Sequence, residues 1–241
     1  LLRRAYSLND GIYRLQSKDI ATLYEIWCFI EVSHIVRNQL GISMEDMEHR
    51  NRMEMNGVFT WELGKGEHSR ILFRKDGVEL AELVYNPKHT DKDNENISME
   101  NLVVPTVPQK PDIVLQLRKD DVQKGMKMTY LFDAKYRIDG NVKGVDTPPD
   151  DAINQMHRYR DAIYYKDNQN ADGKLKKEVI GGYILFPGNG DPLEVAKAKF
   201  QQSLDEVNIG AFPLRPNDKD NRRLLEEFIQ KLIGSSASKI R

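Results

Sequence analysis

Cysteine is nearly absent from this chain: Cys28 is the only one in 241 residues. That excludes an internal disulfide and any cysteine-based zinc cluster, and it fits a reducing, cytoplasmic setting. The apolar neighbours of Cys28 in YEIWCFIEV predict a buried thiol. Also missing is any apolar run near the ~18 residues that a membrane span needs, so no membrane partner is expected. Neither charge dominates: Lys+Arg number 36 and Asp+Glu 37, a formal net charge of −1. Any basic surface must therefore be local. The five histidines, His34, His49, His68, His89 and His157, show no metal-ligand spacing and read as structural or exposed. GKGEHS (64–69) and GNGDP (188–192) match neither G-x-x-x-x-G-K-[ST] nor G-x-G-x-x-G. Both read as turns, so any nucleotide-driven motor has to be a separate partner.

What is present is enough apolar residue for a core, 39% of the chain, in a length that suits one large domain. The chain opens LLRRAYSLNDGIYRL, without methionine and in mid-pattern, so a fragment of a longer protein is expected. Residues 18–40 predict a long helix buried on most sides, with Ile20, Leu23, Trp27, Ile30 and His34 at helical spacing. Gly41 is its stop. Residues 43–57 read as a loop or short helix. Strands are predicted at Val58–Leu63, Arg70–Lys75 and Val78–Tyr85, the last two joined by an Asp76-Gly77 hairpin turn. Residues 86–110 read as a long loop, then Pro111–Leu117 and Met128–Ile138 as strands. A helix is expected over 150–166, an apolar strand at Val179–Phe186, and helical residues over 193–207. Gly210–Pro216 reads as a Pro-punctuated connector, and Asn221–Ile233 as an amphipathic closing helix. The order predicts an α/β fold, a central mixed β-sheet flanked by helices.

Within this frame YLFDAKYRIDG (130–140) is out of pattern. Asp133 and Lys135, two apart in a strand, point to one face where a buried strand wants apolar residues. Asp112 opens the preceding strand, about twenty residues earlier. Two carboxylates on adjacent strands can share a hard divalent cation such as Mg²⁺, which prefers oxygen ligands. A lysine beside them can orient a water or help deprotonate it. A surface ion pair is the competing reading of Asp133 and Lys135. Gln155 and Tyr159 share one helix face. Glu25 lies in an apolar setting where a carboxylate needs a partner, either a metal or a basic side chain. Glu31 is the competing acid on that helix. Arg158, beside His157, and the lysines of KLKKE (Lys174, Lys176, Lys177) either track phosphate or are simply solvated.

The set Pro111-Asp112, Asp133-Ala134-Lys135, Gln155 and Tyr159 resembles the PD-(D/E)XK nuclease superfamily. Glu25 matches the acidic residue that many members carry in a preceding helix. More narrowly, YEIWCFIEV, PDIVL, DAKYR, YILFPG and IGAFPLRP together resemble the nuclease domains of McrBC-type modification-dependent restriction systems, over roughly residues 18–216. The resemblance implies a restriction-endonuclease-like core in the order α-β-β-β-α-β, with extra strands and a C-terminal helix. It implies one nuclease domain over 1–241, with its core at about 18–190 and a C-terminal extension at 191–241. The activity implied is Mg²⁺-dependent hydrolysis of DNA, with Mn²⁺ as a substitute, usually leaving 5′-phosphate and 3′-hydroxyl ends. Asp112, Asp133 and the Ala134 carbonyl would bind the metal, and Glu25 would complete the shell. Lys135 would act on the water, with Gln155 and Tyr159 in support. The partners implied are DNA, a separate AAA+ GTPase or ATPase motor and a second copy of the chain. The setting implied is antiviral defence by a prokaryotic restriction complex. A catalytically silent DNA-binding or scaffold module, or a nuclease acting on RNA or branched DNA, is the alternative.

Overall fold

The computed structural model describes residues 20–43, 47–49, 70–87, 102–104, 109–121, 126–166, 175–177 and 179–237. Helix α1 runs Ile20–Leu40. It buries Tyr24, Cys28, Phe29, Val32, Ile35 and Val36. Ile20, Ile30 and His34 face outward instead, so the buried stripe lies to one side of the one expected. Gly41 ends the helix as predicted, at φ 61°. The Gly41 N–H returns to the Asn38 carbonyl and the Ile42 N–H to Arg37, the paired bonds of a Schellman stop.

Short strand β1, Met47–His49, follows where a loop or short helix was expected. The predicted strand at Val58–Leu63 lies outside the described residues. Strands β2 (Arg70–Lys75) and β3 (Val78–Tyr85) form the expected hairpin. Asp76 and Gly77 both take positive φ, 52° and 75°, as a type I′ turn requires. β4 (Leu102–Val103) interrupts the segment read as loop. β5 spans Ile113–Arg118 and β6 Lys127–Ala134. The hairpin β7 (Gly140–Val142) and β8 (Val145–Thr147) then precedes α2 (Asp150–Ala162). That helix stops short of the predicted residue 166, because Tyr164–Lys166 forms β9, which pairs with both β4 and β10 (Leu175–Lys177).

β11 covers Val179–Phe186 as predicted. Two helices, α3 (Pro192–Lys197) and α4 (Lys199–Val207), replace the single one expected. The Pro-punctuated connector is in fact strand β12, Ile209–Pro213. It forms the sheet edge, where a strand tolerates proline. Helix α5, Lys219–Gly234, closes the described chain.

The main sheet has seven strands in the order β1-β2-β3-β5-β6-β11-β12. β2, β3, β5 and β6 pair antiparallel, while β6, β11 and β12 run parallel. The fold is therefore the mixed, restriction-endonuclease-like sheet flanked by helices that the sequence predicts. One core cluster packs α1 and α5 on the sheet through Phe29, Tyr130, Phe132 and Leu225. A second joins α2 to the other face through Leu131, Met156, Tyr159 and Ile184. Within the segment 191–241, read as an extension, Ile209–Pro213 and Lys219–Gly234 thus supply an edge strand and a covering helix to the same sheet. Among the described residues no helix is long and apolar enough to cross a membrane.

Candidate active site

The β5–β6 register sets the site. Ile113 pairs with Phe132, so Asp112 and Asp133 follow directly at the same end of the two strands. The Ala134 N–H donates to Asp112 Oδ2 at 2.8 Å and pins that carboxylate against β6. β6 stops at Ala134, before the predicted Ile138. The Lys135 N–H still donates to the Leu185 carbonyl at 2.8 Å, which prolongs the extended geometry by one residue. Lys135 therefore keeps the face of Asp133, and its amine forms an ion pair with Asp133 Oδ2. That oxygen is buried and takes no hydrogen bond of good geometry. Asp133 is 1% exposed and Asp112 8%.

Such burial disfavours charge. Burial, then the charges of Asp133 and Glu25, push the Asp112 carboxyl well above the usual carboxylate range. Burial also raises Asp133, against the opposing pull of Lys135. Burial works to lower Lys135, but Asp133 and Asp112 outweigh it and the amine ends above the usual lysine range. The metal-free site therefore holds a charged lysine against two carboxylates that resist ionisation together.

The neighbouring elements fix these groups. Tyr159 is buried on α2 and its hydroxyl donates to the Lys110 carbonyl at 3.0 Å, just ahead of Pro111-Asp112. Gln155, one turn earlier, donates its amide to the Tyr159 hydroxyl. Gly182 on β11 lets α2 sit close, since a Cβ there would lie 3.0 Å from Met156 Cβ. Glu25 accepts from the Tyr85 hydroxyl at 3.3 Å. Burial raises its pKa, while Tyr85 and Lys135 pull it back. It thus feels the site across the end of the sheet. Its competitor Glu31 is tied to Arg222 at 2.7 Å, away from this chemistry.

Tyr85 and Asn86 escape the sequence reading, although both serve the site. The Asn86 N–H donates to the Asp112 carbonyl at 2.6 Å, and Asn86 sits in the left-handed region at φ 47°. The signal was an asparagine directly after an apolar strand, a residue type that tolerates this conformation.

The proposed phosphate contacts are less gathered. Arg158 is exposed on α2. Lys177 pairs with Asp161 at 2.9 Å, Lys176 lies on β10, and Lys174 lies outside the described residues. GNGDP is a loop whose Asp191 caps α3 by accepting from Leu193 and Glu194, as befits a turn.

A divalent cation can be tested against this donor set. Among the described residues no group of three or more His, Cys, Asp or Glu converges as a cage. Two buried carboxylates at neighbouring strand ends, Asp112 and Asp133, offer the oxygen donors that suit a hard cation keeping several waters. The residues fit such an ion.

A mixed sheet that brings two carboxylates and a lysine to neighbouring strand ends, buttressed by a Gln–Tyr pair, is the frame of a phosphodiester-cleaving enzyme. Comparison with protein-family models matches residues 22–191 to the PD-(D/E)XK nuclease superfamily, and the chain belongs to it. Members of that superfamily typically use divalent metal ions. Comparisons with curated proteins and with solved structures returned no match.

Proposed function

We propose that this protein is a Mg²⁺-dependent endonuclease that hydrolyses DNA phosphodiester bonds, with Mn²⁺ able to replace Mg²⁺. The observation that supports it most is the juxtaposition of Asp112, Asp133 and Lys135 at the ends of β5 and β6. Asp112, Asp133 and the Ala134 carbonyl would hold the cation. When bound, it stabilises charge developing on the phosphate oxygens and makes water a better nucleophile. Lys135 is protonated in the metal-free site. It therefore acts first as a donor that orients the attacking water and the non-bridging oxygens. The water oxygen forms a bond to phosphorus as the bond to the 3′ oxygen breaks. The attacking water gives up a proton to solvent and the departing oxygen takes one from solvent, giving 5′-phosphate and 3′-hydroxyl ends. Gln155 and Tyr159 hold the Lys110 carbonyl, and through it the chain leading to Asp112, in place.

The DNA would be delivered by a separate AAA+ motor in a restriction or defence complex, and a paired copy would allow both strands to be cut. A catalytically silent scaffold has little use for a buried charge cluster that costs stability without a ligand. The test is cleavage of supercoiled plasmid, modified and unmodified, in Mg²⁺ or Mn²⁺. Metal-dependent nicking should fall at least about a hundredfold in Lys135→Ala, the loss expected for one strong transition-state donor. Equal cleavage by Lys135→Ala would overturn the reading.

A further inference from the structure

The sheet end that carries Lys135 carries a second concave feature. β6, β11 and β12 run parallel, so Ala134, Phe186 and Pro213 end at one edge. In open sheets the crevice outside the carboxyl ends of parallel strands is where ligands bind. Here Tyr136, Arg137 and Ile138, just past β6, and Arg215, just past β12, meet Tyr24 and Trp27 of α1 around a cavity of about 670 Å³.

One wall is aromatic. The Tyr24 ring centroid lies 5.8 Å from that of Trp27 and 5.4 Å from that of Tyr136. Tyr136 remains 50% exposed and Ile138 41%, so large apolar surface is left in water directly after Lys135. The Arg137 N–H returns to the Lys135 carbonyl at 2.7 Å, a tight turn with Tyr136 at its apex. Two guanidiniums flank the wall. Arg137 pairs with Asp139 and Asp151. Arg215 donates to Asn189 Oδ1 at 2.8 Å and to Asp218 Oδ2, while its Nε is buried with no hydrogen-bond partner. Rings with cations beside them suit a flat, π-faced ligand on an anionic backbone.

We propose that this groove takes an unstacked nucleobase of the strand whose phosphate lies against the Lys135 amine. The proposal rests on the nuclease reading of that site. Because Tyr136 follows Lys135 directly, the stacking platform and the phosphate-directed amine share one backbone segment. The base comes from a single strand or is extruded from a duplex; the stacking chemistry is the same.

The test needs no cleavage. The chain has two tryptophans, so Trp61→Phe leaves Trp27, in the groove wall, as the reporter. Without divalent cation, a short single-stranded DNA should quench Trp27 saturably. Tyr136→Ala should weaken binding about tenfold, the scale of one base stacked on one ring, and Tyr136→Phe should retain it. An oligonucleotide abasic at the stacked position should bind the wild type as weakly as the intact one binds Tyr136→Ala. Quenching by a duplex with one mispair, but not by the fully paired duplex, identifies an extruded base; quenching by the single strand alone identifies the other source. No quenching by any of these, or unchanged affinity in a folded Tyr136→Ala, overturns the proposal. If Lys135-dependent plasmid cleavage persists in that case, only the groove assignment falls. Quenching without any metal-dependent cleavage would instead remove the nuclease reading.

Discussion

Asp112 and Asp133 are both buried, and each is held above its usual pKa. An acid whose folded pKa is raised stabilises the fold fully below its unfolded value, about 3.9 for aspartate. It loses that contribution as pH rises through the folded value. Metal-free protein should therefore lose stability as pH climbs from about 4 towards neutrality. Asp112→Asn keeps an oxygen for the Ala134 N–H and removes the repulsion. Without metal at pH 7 it should be more stable than the wild type, with the gap closing towards pH 4. Divalent cation should then raise the melting temperature of the wild type and not of the variant. Thermal melts across pH, with and without Mg²⁺, check this; a variant less stable at every pH would contradict it. At this scale the sequence was legible where chemistry broke a local pattern, as for Asp133 and Lys135 in an apolar run. It was silent where a role depends on a distant partner. Tyr85 matters because its hydroxyl meets Glu25, 60 residues away, and Lys119 because it reaches carbonyls more than 110 residues further on.

Elements were legible where a period and a stop signal agreed. The hairpin of β2 and β3 has alternating strands around Asp-Gly, and α1 ends on Gly41. Three-residue strands such as β1, β7 and β9 are too short to show a period, and their pairing is set by tertiary partners. β12 was hidden by the proline at its end, which only its edge position explains. The close seating of α2 on β11 was likewise invisible until Gly182 and Met156 were brought together. Gly182→Val should force that helix outward, costing about 1–3 kcal/mol as overpacking does. Since α2 carries Gln155 and Tyr159, cleavage should fall in the same variant with metal affinity little changed. Denaturant melts, calorimetry and plasmid assays separate the two effects; normal cleavage by a destabilised Gly182→Val would detach α2 from the site.

Across the whole molecule, the closing helix is fastened by one buried amine. Lys119, 6% exposed, donates to the carbonyls of Leu232, Ile233 and Ser235, each at 2.6 Å. Burial pulls its pKa below the usual lysine range. The three carbonyls offset that cost by giving the charge its full set of acceptors. Lys119→Met should leave them unsatisfied and lower stability by about 3 kcal/mol. Cleavage by the folded fraction at room temperature should be unchanged, which a melt paired with a plasmid assay reads directly. Beside this clasp the Ala237 N–H donates to Asp121 at 2.9 Å. Lys119 and Asp121 follow β5, whereas Asp112 precedes it, so strand β5 separates the clasp from the Asp112 end by about 20 Å. A surface linkage or fused reporter joined just after Ala237 would therefore hold the protein by its back, with the Asp112 end of the sheet turned outward. The clasp makes residue 237 a fixed point from which the molecule can be tethered without touching the Asp112 end of the sheet.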